Sequence, residues 1–488
     1  MIDTSTRNDN AASDRPVDTA KAQDAAAPEV ATAPASAPCA SGAPGEVVPI
    51  ERMSFGSAAV GHLPDGKTVF MEGAVPGDVV RVELTEEKPR FARGRVAEIL
   101  EASPDRVTPP CAAGCGGCPW APLSYEAQLI AKRANVVDAL VRTAHMDAPR
   151  AEALVAACVP SKRQWGYRNK LELGAAMDER GTFQLGFHRE GAHDIASPGA
   201  CPLAHDAIAK APKALRGALR FAQGSADLGI FRVGVRHSLH TGDLEVALWT
   251  SPGSFPRGHI AKTVKSAVKA TSIVRVMADP GKARKIKGVE TLDGKGCWEE
   301  QLGDARYLAS APSFFQVNTA QAEKLIACVI EGLGGRMGED GPEGLDDLLI
   351  ADLYAGGGTF SVPLAQAGAE VLAVEAAGSS VRDLRRNADM NRVDLEVIGG
   401  DAARELPELG GLDALVVDPP RAGLADGVVE SIAAAAPERV AYVSCNPATW
   451  ARDVARFESQ GYRLTSVQPV DMFPQTYHVE VVSVFERL

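Results

Sequence analysis

The sequence predicts an α/β protein: a doubly wound parallel sheet in its last third, a central α+β region before it, and a small β-barrel on the N-terminal side. Three observations carry this reading. From about residue 311, short apolar runs alternate with helical periodicity, and the runs end in glycine or acidic residues. Between Val47 and Ile99, short β-like runs are separated by turns such as Pro64-Asp65-Gly66 and Pro76-Gly77-Asp78. The stretch between these two regions mixes both patterns around a cysteine cluster.

In chain order, residues 1–45 are rich in Ala, Pro, Asp and Ser, with too little apolar surface to offset ordering entropy. They are expected to be a disordered tail. The barrel is expected over 46–106, with strands in Val47–Ile50, Thr68–Met71, Asp78–Leu84 and Ala92–Ile99. Lys88, Arg90, Arg93 and Arg95 form a basic cluster there, either a solvated edge or a surface for an anionic partner. The central domain is expected over 107–310, with a helix from Tyr125 to Val141 and strands at Lys170–Leu173, Phe183–Phe187 and Leu244–Trp249. It holds two further basic runs, Lys162-Arg163 through Arg168 and Lys170, and Lys282 to Lys287. The sheet domain is expected over 311–488, with strands Leu348–Leu353, Val371–Val374, Leu395–Ile398, Ala414–Val417 and Val440–Ser444.

Composition narrows the function. The 488 residues leave room for about three domains, and no apolar run approaches the roughly 18 residues of a membrane span. No signal-peptide pattern stands at Met1, so a cytoplasmic protein without a membrane partner is expected. A net charge of -12 argues against a coat-like nucleic-acid binder, and an anionic partner must meet a local patch. Nine cysteines in such a chain do not suggest disulfides. Cys111, Cys115 and Cys118 crowd together, with Cys201 isolated in a Cys-Pro step, and clustered thiols in a reducing compartment point to metal ligation. Gly356-Gly357-Gly358 follows the first strand of the sheet, and Glu375 ends the next strand, where an acid can bind ribose hydroxyls. Ser361 replaces the third glycine of a dinucleotide turn, which favours an adenosine cofactor without phosphates, such as S-adenosylmethionine. A tight packing turn without ligand is the alternative. Cys445 stands where a strand gives way to a helix, and a helix N-terminus lowers thiol pKa; a small buried core residue is the other reading.

The motifs Ser313-Phe314-Phe315-Gln316-Val317-Asn318, Asp352-Leu353-Tyr354-Ala355-Gly356-Gly357-Gly358-Thr359, Asp418-Pro419-Pro420-Arg421-Ala422-Gly423, Ser444-Cys445-Asn446-Pro447 and Asp471-Met472-Phe473-Pro474 with His478-Val479-Glu480 occur in that order. From about residue 46 to the end, the chain closely resembles the RNA uracil-5-methyltransferases. That resemblance implies a class I S-adenosylmethionine-dependent methyltransferase sheet, an OB-like TRAM barrel, and methylation of uridine carbon 5 in RNA. It makes Cys445 the nucleophile and Glu480 the base, with His478 orienting or packing. It gives the donor to Gln316, Tyr354, Thr359, Glu375, Asp401 and Asp418. It has Phe314 stack on the flipped base, with Asp418 as the base's polar anchor. The cysteine set resembles the [4Fe-4S] cluster of the 23S ribosomal RNA branch, with Cys111, Cys115, Cys118 and Cys201 as ligands; ribosomal RNA is therefore preferred to transfer RNA, and a monomer is expected. The three residues between Cys111 and Cys115, where that branch usually has five, depart from the pattern. Zinc is the alternative metal. A radical S-adenosylmethionine enzyme using Cys-x3-Cys-x2-Cys, and a non-catalytic RNA-binding protein, are the alternative functions.

Overall fold

Alternating burial along short strands builds the first unit of the computed structural model, which describes residues 45–111, 113–189, 194–224, 226–281 and 285–488. The expected disordered tail, apart from Gly45, and part of the Lys282–Lys287 run lie outside those residues. Strands β1 (Glu46–Met53), β2 (Ala59–His62), β3 (Thr68–Glu72), β4 (Val79–Glu87) and β5 (Phe91–Glu101) close a barrel in the order β1-β2-β3-β5-β4, with β4 returning to β1. Val48, Ile50, Val69, Met71, Val80 and Val82 point inward. The sequence reading lacks β2. Its run Ala59-Val60-Gly61-His62 carries a glycine because β1 passes close: a Cβ at Gly61 would meet the Pro49 carbonyl oxygen at 2.5 Å.

Ser124 caps the helix Tyr125–Arg142, accepting from the Ala127 N–H. The central domain is one sheet of β6 (Lys170–Met177), β7 (Phe183–His188), β8 (Ile195–Ala196), β9 (Ile230–His237), β10 (Leu244–Thr250), β11 (Ser272–Met277) and β12 (Gly288–Gly294). Their order is β12-β11-β10-β9-β6-β7-β8. A hairpin of β13 (Trp298–Leu302) and β14 (Ala305–Ala309) follows, and a second, β15 (Arg336–Gly338) with β16 (Gly341–Glu343), precedes the last sheet.

That sheet comprises β17 (Leu349–Leu353), β18 (Glu370–Glu375), β19 (Glu396–Gly399), β20 (Ala414–Val417), β21 (Arg439–Ser444), β22 (Tyr462–Val470) and β23 (Glu480–Arg487), in the order β19-β18-β17-β20-β21-β23-β22. β17 to β21 pair in parallel, as expected of apolar runs buried on both faces. β23 inserts antiparallel between β21 and β22, with Ser444 opposite Val481. Apolar clusters cover both faces, one including Leu353, Val417 and Trp450, the other Ile350, Val416 and Val443. Ligand chemistry is thereby left to the strand ends.

Candidate active site

The register of β23 sets the site. Ser444 pairs with Val481, so the next step brings Cys445, just past β21, across from Glu480, the first residue of β23. Regular antiparallel neighbours stand about 4.5–5.5 Å apart at Cα. Asn446 caps the helix Pro447–Ser459 by accepting from the Ala448 N–H, which fixes the turn that presents Cys445. One strand over, Asp418 follows β20 and donates its N–H to the Leu353 carbonyl at 3.4 Å.

Electrostatics tie these groups together. Burial, and then the neighbouring Asp418, hold the Glu480 carboxyl well above its ordinary pKa, against the pull of Arg421. Burial and the adjacent Asp352 raise Asp418 to about 7. The Cys445 thiol is pushed up to about 11 by burial and then by Glu480, while Arg421 works in the opposite direction by charge and hydrogen bond. This corrects the expectation of a depressed thiol pKa: the helix terminus is outweighed by desolvation and a facing carboxyl. His478 is driven down to about 4, first by burial and then by Arg421, Lys132 and Arg168, so its imidazole is neutral. It lies against Tyr477, centroids 4.2 Å apart, consistent with packing.

The turn after β17 forms the neighbouring half of the site. Tyr354 has φ of 65°, a left-handed value uncommon for a tyrosine, and Gly356 and Gly358 follow at 58° and 90°. Glu375 accepts from the N–H groups of Gly356 at 2.8 Å and Ala377 at 2.6 Å, so its carboxylate spans the mouth of the turn. Thr359, which follows Gly358, is half-buried, Gln316 is buried, and Asp401 caps the short helix Ala402–Glu405 just after β19. Asp352 lies beneath: its Oδ2 accepts from Ser361 at 2.5 Å, its Oδ1 is sealed without a partner among the described residues, and burial lifts its pKa to about 7. The buried acids Asp352 and Glu480 and the half-buried Asp418 suit a cationic ligand, and a sulfonium donor is one. Phe314 is 67% exposed while Phe315 is buried against Trp298 and Tyr307, so the core explains only the second of the two aromatics.

The segment from Asp471 to His478, which delivers Glu480, is held by side chains the sequence reading passed over. Lys132, fully buried, pairs with Asp471 and donates to the Phe473 carbonyl at 3.0 Å. The Tyr125 hydroxyl donates to Asp471 at 2.8 Å, and Gln128 exchanges two 2.9 Å hydrogen bonds with Gln475. These residues share the buried face of the helix Tyr125–Arg142, and their spacing of three and four was the available signal. Arg421 and Asp352 stood inside quoted motifs without a role.

Elsewhere, Cys111, Cys115 and Cys118 line a cleft of about 200 Å³ together with Trp165. Burial, then the thiols of Cys201 and Cys115, with Cys111 contributing, lift Cys118 to about 12, so the four sulfurs share one neighbourhood. As they stand, no three His, Cys, Asp or Glu side chains among the described residues form a group able to hold a metal ion. On the barrel, Lys88 and Arg93 pair with Glu86 at 3.0 and 3.5 Å, and Arg95 with Glu83 at 2.7 Å; Arg90 is exposed. Lys170 pairs with Glu172 at 2.7 Å, while Lys162 and Arg163 are exposed. Much of the expected basic surface is thus neutralised locally. Among the described residues, no helix is long and apolar enough to cross a membrane.

Comparison with known proteins agrees with this geometry. The tRNA (uracil-5-)-methyltransferase family matches residues 300–409 and 410–488, and the TRAM domain matches 46–97. An uncharacterized RNA methyltransferase of Thermosynechococcus vestitus is 35% identical over 448 residues, covering 89% of this chain and 96% of the relative. Another, of Gloeobacter violaceus, is 34% identical, covering 90% and 96%. The crystal structure of Pyrococcus abyssi tRNA (uracil-54, C5)-methyltransferase with S-adenosyl-L-homocysteine superposes with a TM-score of 0.69 at 27% identity, covering 90% of this chain and 99% of that one.

Proposed function

We propose a full reaction for this chain, which belongs to the RNA uracil-5-methyltransferase family and methylates carbon 5 of uridine in RNA with S-adenosylmethionine as donor. The observation that carries it is the register that sets Cys445 against Glu480, with Asp418 and Arg421 beside them. Uracil carbon 5 is a weak nucleophile. The Cys445 thiolate adds to carbon 6, and the electron pair of the 5,6 double bond moves into an enolate. The donor supplies a methyl group on a cationic sulfonium, and carbon 5 takes it. Glu480 as carboxylate then removes the proton on carbon 5, the double bond reforms, and the thiolate leaves. Arg421 favours the thiolate that must form first. Glu375 would hold the ribose, with Gln316, Tyr354, Thr359, Asp401 and Asp418 lining the rest of the donor site, and Phe314 and Asp418 would receive the base.

The four thiols fit an iron–sulfur ligand set in kind: sulfur donors in one neighbourhood, with the Nε of Arg168 sealed and unpartnered among the described residues and its charge acting on Cys118 and Cys201. Cys111, Cys115, Cys118 and Cys201 would hold the cluster as a structural element; a fourth thiol leaves no open iron for radical chemistry. The resemblance of this set to the ribosomal branch supports ribosomal RNA as target. Transfer RNA is the second reading, favoured by the printed activity of the Pyrococcus abyssi enzyme. Two experiments test the function. RNA carrying 5-fluorouridine has no proton on carbon 5 to release, so protein and donor should form an adduct that survives denaturation and is absent in Cys445→Ala. A parent protein forming no adduct overturns the mechanism. Mapping 5-methyluridine in ribosomal and transfer RNA from cells lacking the protein decides the target.

A further inference from the structure

One face of the helix Gly378–Asn391 behaves as an extra strand. Asp383, Asn387 and Asn391 lie four residues apart, and their partners, Ser310, Leu308 and Arg306, lie two apart on and just after β14, running the opposite way. Asn391 accepts from the Arg306 N–H at 2.8 Å and donates to its carbonyl at 2.7 Å. Asn387 does the same with Leu308, at 2.7 and 3.2 Å. Asp383 accepts from the Ser310 N–H at 2.8 Å and from the hydroxyls of Ser310 and Ser313, both at 2.6 Å. Four helical residues rise about 6 Å and two strand residues about 6.6 Å, so the two repeats stay in step. Among the described residues β14 pairs only with β13, and the carboxamides of Asn387 and Asn391 serve the peptide groups of its other edge.

The middle rung reaches further. The Asn387 amide also donates to the Gly357 carbonyl at 2.8 Å, inside the glycine turn that Glu375 spans. At the upper end, the Ser310–Ser313 turn is gripped from the central domain as well: Arg236, 3% exposed on β9, donates to the Ser310 carbonyl at 3.1 Å and to that of Ser313. The next residue is the exposed Phe314. A continuous set of hydrogen bonds, half-buried along most of its length and buried at Ser313, therefore runs from the glycine turn through Asn387 and Leu308 to the Asp383-bound turn under Phe314.

We propose that Asn387 and Asp383 are positioning residues that couple the donor turn to the Phe314 platform, so that donor and RNA bind cooperatively. This rests on the assignment of the glycine turn to the donor and Phe314 to the base. A ligand that fixes the Gly356–Gly358 turn fixes the Gly357 carbonyl, and the rungs pass that order to the turn under the aromatic ring. The coupling is reciprocal for binding.

The test is a linkage cycle on the full chain: the affinity for S-adenosylhomocysteine with and without a uridine-loop RNA hairpin, and the converse. The parent should show a ratio of about fivefold or more, equal in both directions. Asn387→Ala should bring the ratio near one while each ligand alone binds within about threefold of parent, and the isosteric Asp383→Asn should reduce it too. Asn391→Ala removes the rung that does not communicate with the glycine turn and should keep the ratio. If Asn387→Ala does not fold, Asp383→Asn against Asn391→Ala decides. Equal loss in all variants, a parent ratio of one, or a ratio unchanged in Asn387→Ala and Asp383→Asn overturns the coupling. A parent that binds neither S-adenosylhomocysteine nor the hairpin overturns the functional reading itself, and the coupling with it.

Discussion

Lys132→Met probes the device that holds Glu480. The Lys132 ammonium and the Asp471 carboxylate are both 0% exposed and paired, and the ammonium also donates to the Phe473 carbonyl at 3.0 Å. Methionine roughly matches the length of the side chain, so packing changes little. What is lost is the countercharge, leaving Asp471 buried with the Tyr125 hydroxyl as its remaining side-chain donor, at 2.8 Å. Breaking one half of a buried pair costs about 3–5 kcal/mol, and the surviving hydroxyl places the expected loss near 3 kcal/mol. At a urea slope of about 3 kcal/mol per molar, the unfolding midpoint falls by about 1 M, read by tryptophan fluorescence and compared at equal slope. Neutralising the partner separates charge from shape: Lys132→Met with Asp471→Asn should recover at least half of the shift, because no unpaired charge remains. A drop of less than about 0.3 M in the single variant, or a double variant as unstable as the single, would refute the argument that an ion pair anchors this segment.

Three further outcomes follow from the site. Glu480→Gln should slow turnover about 100-fold or more and accumulate a denaturation-resistant adduct on natural uridine RNA; nearly normal turnover would assign the base elsewhere. Burial and Glu480 hold the Cys445 thiol at about 11, so its thiolate fraction is small at neutral pH and grows up to that value. Iodoacetamide capture of the Cys445 peptide in the free protein should therefore climb about tenfold per pH unit between pH 7 and 10, and fall in Arg421→Ala, whereas a plateau near neutral pH contradicts the buried-thiol account. Anaerobically purified protein should carry about four irons per chain and a brown colour, both reduced in Cys201→Ser; stoichiometric zinc in their place would reject the iron–sulfur reading.

The parts of this chain legible in its sequence are those whose physics is local. β20 and the interior of β21 are buried on both faces and read as apolar runs, and β17 reads the same way around its one acid, Asp352, next to the strand end. β9, β11 and β13 escape the same reading because they carry buried polar groups. Arg236 sits on β9, and Arg275 on β11 spends its guanidinium on Thr250, Ser251 and Gly253. On β13, Glu300 accepts from Ser238 and Thr319. A charged residue in a short run reads as solvent-facing until its partner is known, and here the partners are remote in sequence. The site divides the same way. Cys445 and Glu480 are found through motifs, but their apposition depends on β23 entering antiparallel beside β21, a register that no nearby residue encodes. The thiol acidity is not legible in the sequence for that reason: the helix terminus is a neighbour in sequence, while the burial and the carboxyl that raise the thiol are neighbours only in space. Lys132 and Gln128 follow the same logic from the other side. Each occupies a core-facing position of an amphipathic helix, and each is satisfied by a loop more than three hundred residues away. On the buried face of the helix Tyr125–Arg142, Tyr125, Gln128 and Lys132 each make a long-range hydrogen bond, and those bonds hold the segment that leads to Glu480.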